Sequence, residues 1–194
     1  MNLQARVTNI LTKPADEWPV IAGESATVQS LYTEYIVILS AIPAVCKMIG
    51  LTLIGTAFFG RVGFATGLMS GCVTYVIGLI SCYIGAFIIE KLAPSFGSSG
   101  DTAQALKLVA YAYTPVWIAG VLNLVPLLGI LTIFAGLYAI YLFYLGMTPV
   151  MKTPQDKVIP YMLVSALVII VVNFVLGMIA ASLFVAGAVT SYGM

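Results

Sequence analysis

The feature that most constrains this chain is a series of apolar runs separated by short polar stretches. An α-helix needs about 20 apolar residues to cross a hydrocarbon layer about 30 Å thick. Runs of that length lie at 35–57, 63–89, 105–124, 127–147 and 158–184. In lipid every backbone polar group must be bonded within the protein, so such runs become helices. The pattern predicts an all-α integral membrane protein with five transmembrane helices. Composition agrees: of 194 residues 61% are apolar and 8% charged, with a mean hydropathy of +1.09, whereas soluble domains are nearer about 25% charged.

The connections are read from turn chemistry. Residues 91–101 (KLAPSFGSSGD) and 148–156 are polar loops. Pro126 opens the fourth span, where a missing N–H does no harm. Lys and Arg on alternate sides are Arg6, Lys13, Lys91, Lys107, Lys152 and Lys157 against Arg61 alone, six to one. The positive-inside rule then predicts a cytoplasmic N-terminus and an external C-terminus. Residues 1–34 hold no apolar core of signal-peptide length, so no cleaved leader is expected. Leu3, Val7, Ile10 and Leu11 instead recur at helical spacing with Arg6, Asn9 and Lys13 between them, a short amphipathic cytoplasmic helix stopped by Pro14. Trp18 is expected to anchor that segment in the headgroup zone. The domains are thus 1–34, cytoplasmic, and 35–186, membrane.

Residue supply excludes most chemistry. There is no histidine, no H-E-x-x-H, no G-x-S-x-G and no P-loop. No metal site, cofactor or catalytic set is expected, and no basic cluster points to nucleic acid. Cys46, Cys72 and Cys82 lie in apolar runs and read as small buried hydrophobes. Ser40 and Lys47 are about two turns apart, too far for a direct Ser–Lys hydrolase pair.

Polar residues within spans are the candidates that remain. Lys47 lies about 18 Å into the first span, where a charge is expensive and marks function by default. Either it snorkels to the outer interface or it faces an interior shared with Asn173, at similar depth in the fifth span. Gly67, Gly71, Thr74, Gly78, Ser81 and Gly85 repeat at alternating spacings of four and three. That stripe of small side chains is a helix-packing face, within one subunit or, alternatively, in a homodimer. Pro115 should kink the third span and free a carbonyl near Tyr111. Tyr111, Tyr113 and Pro115 therefore form a candidate cluster.

The strings 9–24 (NILTKPADEWPVIAGE), 111–117 (YAYTPVW) and 136–161 (GLYAIYLFYLGMTPVMKTPQDKVIPY), taken in order with the span pattern, resemble the bacterial branch of the Yip family of membrane proteins. The resemblance implies a compact five-helix domain acting through protein partners and not through catalysis. The family's G-Y-x-x-x-P lands on Ala110, Tyr111 and Pro115, with Gly replaced by Ala, and its D-L-Y-G-P motif is absent. The expected function is a non-enzymatic inner-membrane scaffold or adaptor presenting its cytoplasmic face to protein or lipid partners. The alternative is a small ion or solute transporter, as a homodimer, with its path near Lys47 and Asn173.

Overall fold

The computed structural model describes residues 2–55 and 60–191, with side chains through Met178. Helix α1 (Leu3–Thr12) starts at Asn2, whose side chain accepts from the backbone N–H groups of Gln4 and Ala5. Pro14 does not simply stop this helix. It occupies the first turn of a second one, α2 (Pro14–Gly23), where proline's fixed φ is already helical.

The spans follow. Helix α3 (Val28–Ile54) begins earlier than residue 35, because Thr27 and Ser30 form a reciprocal capping box. The 34/35 boundary therefore falls inside a helix, and residues 56 and 57 of the expected span lie outside the described residues. Helix α4 (Phe64–Leu92) runs on past Glu90 and Lys91 into a tighter turn, Ala93–Phe96, ended by Gly97 at φ +66°. Helix α5 (Thr102–Ala112) is capped by Asp101, which accepts from Gln104 N–H at 2.8 Å. It meets α6 (Thr114–Leu124) at 40°. Helix α7 (Pro126–Met151) opens with a 3₁₀ segment at Pro126 and continues through Pro149 to Lys152, whose left-handed backbone ends it. Residues 148–151, expected in a loop, are thus helical. Helix α8 (Val158–Ser191) completes the fold.

The chain is an all-α membrane protein. Among the described residues four helices are long and apolar enough to cross a membrane, and the bent α5–α6 pair brings the number to as many as five. Helix α3 packs on α4 and α6, α4 on α5 and α8, and α5 and α2 on α7. Where α3 crosses α6 the backbones nearly touch: a Cβ on Gly120 would stand 2.6 Å from Pro43 Cβ and 2.8 Å from its Cα. The outer surface is apolar, with Leu53, Phe64, Ile140, Leu163 and Phe174 exposed, as suits helices facing lipid.

Candidate functional site

At one end of the bundle, α1 and α2 are built into the core. Trp18 is 1% exposed. It is therefore no interfacial anchor: its ring meets Tyr111 edge to face at 6.4 Å, and a Cβ on Gly146 would lie 2.8 Å from two of its ring carbons. An indole suits both the headgroup zone and a protein interior, and the pocket that receives this one is built by Tyr111 and Gly146, far along the chain. Arg6, 5% exposed, pairs with Glu17 and Glu24 and stands 5.7 Å from the centre of the Tyr111 ring. Asn9 donates to the second Glu17 oxygen at 3.1 Å. Lys107, 2% exposed, donates from Nζ to the carbonyls of Ile21, at 3.1 Å, and Glu24. A cation at the C-terminus of α2 satisfies carbonyls that the helix leaves open and complements its dipole. Tyr138 does the same for α1, its hydroxyl donating to Leu11 O at 2.8 Å.

The expected kink is there. Pro115 sits in the first turn of α6. One turn back from Thr114, the carbonyl of Ala110 accepts the Thr114 hydroxyl at 3.4 Å. Thr114 Oγ1 is itself 2.7 Å from the hydroxyl of Tyr35, whose ring stacks edge on against Tyr111 at 4.6 Å. Tyr111 and Tyr113 part company here. Tyr111 belongs to the Arg6 cluster, whereas Tyr113 turns to the far side of the kink and is 43% exposed.

Tyr113 there lines a second site, a cavity of about 410 Å³ beside α4 that also holds Lys47, Thr74, Gly78, Ser81 and Asn173. The structure brings Lys47 and Asn173 into one interior. Lys47 Nζ donates to Thr74 Oγ1 at 3.1 Å. Ser81 donates to Asn173 Oδ1 at 2.8 Å, and Asn173 Nδ2 to Ile169 O at 2.9 Å. Lys47 does not snorkel toward the C-terminal end of α3. A Cβ on Gly71 would touch Ala44 O and Met48 Cβ, each at 3.1 Å, so Lys47 starts level with Gly71. Its ammonium ends about one turn further along antiparallel α4, on the side where α1 and α2 pack. The cause is local: a helical Cα–Cβ bond tilts toward the helix N-terminus.

The small-residue stripe divides along its length. Gly67 and Gly71 receive α3, through Thr52 and Met48, while a Cβ on Gly85 would lie within 3.9 Å of Ile169 and Val109. Gly78, between them, has nothing within 4 Å of where a Cβ would stand, and there the stripe opens into the cavity. Of the cysteines, Cys82 is buried, Cys46 partly so and Cys72 exposed, so Cys72 is not a core residue.

Three stretches far apart in sequence meet at the first cluster: Trp18, Tyr111 and Gly146 come from the three strings that carry the family resemblance. A family model described as the Yip1 domain matches residues 8–179. The chain belongs to the Yip1 domain family. The Yip1 domain match begins within α1, so it includes Trp18 and its partners together with the spans. The chain is similar to the inner membrane protein YohC of Escherichia coli strain K12, 26% identical over 160 residues that cover 79% of this chain and 82% of that one. The protein of the same name from Escherichia coli O6:H1 strain CFT073 matches to the same extent. No solved structure matches.

Proposed function

We propose that this Yip1 domain protein is a non-enzymatic scaffold or adaptor of the bacterial inner membrane. It presents the face formed by α1, α2 and the 97–101 and 152–157 connections to protein or lipid partners. The observation that carries this reading is that the face is tied to the bundle by buried side-chain contacts. Arg6, Lys107, Trp18 and Tyr138 bind α1 and α2 to the bundle. The two connections are joined by Ser98 and Thr153, hydroxyl to hydroxyl at 2.9 Å, and by Ser99 N–H to Met151 O at 2.9 Å. Polar side chains beyond those used for packing, such as Gln4, Thr8, Lys13, Asp16, Gln155 and Asp156, remain exposed on this face. Pre-organised polar surface of this kind lowers the entropy lost on docking a partner. The relatives named as inner membrane proteins support the location.

The test replaces those six exposed residues with alanine or serine and leaves the buried ones intact. The variant should reach the membrane at the wild-type level, melt as the wild type does, and fail to complement a deletion strain. Full complementation would sink the reading.

A second reading, solute transport, is supported by the shared cavity of Lys47 and Asn173. Proteoliposomes bearing the wild type should then show ion or solute flux that Lys47→Met abolishes, and absence of Lys47-dependent flux would dismiss it.

A further inference from the structure

We infer that the cavity beside α4 binds a long-chain fatty acid, or an equivalent single-chain anionic amphiphile, with its carboxylate on Lys47 and Thr74 and its chain along α4 toward Gly85. Charge supplies the first argument. No carboxylate lines the cavity among the described residues, and the ion pairs of the described residues lie elsewhere, at Arg6 and Lys91. A lysine ammonium has three donors, and Thr74 takes one of them at 3.1 Å. A carboxylate supplies both the missing counter-charge and acceptors for the remaining hydrogens. Asn173 and Ser81, by contrast, are bonded to each other and to Ile169 O, so they leave the rest of the wall without a strong claim on a polar ligand.

Shape supplies the second argument. The lining residues of α4 run from Ser70 to Gly85, about 22 Å of helix at 1.5 Å per residue, so the space is long and narrow. Beyond the lysine its apolar wall includes Ile77, Val109, Phe143 and Ile169. Its 410 Å³ lies within the ~300–1,000 Å³ typical of small-molecule sites. A chain with one charged end fits this distribution, and a compact inorganic anion uses only one end of it.

Depth and access supply the third. Thr74 is about 15 Å along α4 from Phe64, half of a ~30 Å hydrocarbon layer. A two-chain phospholipid keeps its phosphate in the headgroup layer and has no reason to carry it there. Tyr113, which lines the cavity, is 43% exposed, and on the same stretch of α4 Val76, Ile80 and Tyr83 are exposed, as suits contact with lipid. The ligand enters from lipid. This inference rests on the cavity and on neither the scaffold nor the transport reading.

Native mass spectrometry of the full chain, released from a nonionic detergent, tests it with hexadecanoate, hexadecanol, phosphatidylglycerol and acetate as separate probes. Hexadecanoate should give a one-to-one adduct and hexadecanol none. Lys47→Met should lower adduct occupancy at least tenfold, and Lys47→Arg should keep it. Gly78→Leu leaves the lysine in place, and at Gly78 a Cβ meets nothing within 4 Å. It fills the space and should abolish the adduct without lowering the melting temperature. Equal retention of hexadecanol, an adduct that survives Lys47→Met or Gly78→Leu, or acetate displacing hexadecanoate at equal concentration would each overturn the proposal. So would a stable phosphatidylglycerol adduct at the expense of hexadecanoate, or a dimer that excludes every probe.

Discussion

Gly146 has no side chain where the ring of Trp18 needs room, and that single absence decides how the N-terminal helices sit. A Cβ there would also come within 2.6 Å of Leu108. Both neighbours are held, Trp18 by its burial and Leu108 by the α5 core. Gly146→Val should destabilise the protein by about 1–3 kcal/mol, the usual range for overpacking. It should expose α1 and α2 to limited proteolysis at Arg6 and Lys13, read by mass analysis of the fragments. Arg6 carries the second residue-scale prediction. Arg6→Met leaves Glu17 buried with its charge uncompensated, and breaking a buried pair in this way costs about 3–5 kcal/mol. Arg6→Met with Glu17→Gln should recover part of that loss in thermal unfolding in detergent. Independent, additive effects would show that the two do not act as a pair. None of this was legible from Trp18 or Arg6 alone. The polar and amphipathic character of the segment was visible, and its partners at 107, 108, 111 and 146 were not.

The bent α5–α6 element shows the opposite balance. Pro115 forecasts the break by itself, since it lacks a donor and clashes with the preceding turn. What the break does depends on its neighbours. Thr114 closes one carbonyl and ties the bend to Tyr35, and Gly120 seats α6 directly on Pro43 of α3. Pro115→Ala should therefore leave the bend in place. The distance between spin labels at positions 103 and 121, measured by electron–electron resonance, should match the wild type, and a longer distance would mean that proline alone holds the bend. Thr114→Val should cost about 1–3 kcal/mol, because it leaves the buried Tyr35 hydroxyl without its partner. A melting curve for Tyr35→Phe combined with Thr114→Val should show less than the sum of the single losses.

At the scale of the molecule, the helices separate two environments. One end holds a close-packed core that includes α1 and α2, and the middle holds a largely apolar cavity with a few polar side chains, flanked by exposed apolar faces. The six-to-one distribution of Lys and Arg argues for that packed end being cytoplasmic. Fusions of a fluorescent protein, active only in the cytoplasm, should fluoresce at the N-terminus and stay dark at the C-terminus, and the reverse pattern would invert the assignment.

The sequence by itself determined the all-α membrane fold and the break at Pro115, because length, hydropathy and proline sterics act locally. Only the tertiary structure decided that Trp18 is core and that Lys47 shares a cavity with Asn173 while pointing away from the nearer end of its helix. Lipid tails and protein interiors are equally apolar, so hydropathy cannot distinguish a side chain facing the bilayer from one facing another helix. That distinction lies in pairs such as Trp18 with Gly146, Lys107 with Ile21 and Lys47 with Thr74, whose partners meet only when the helices pack.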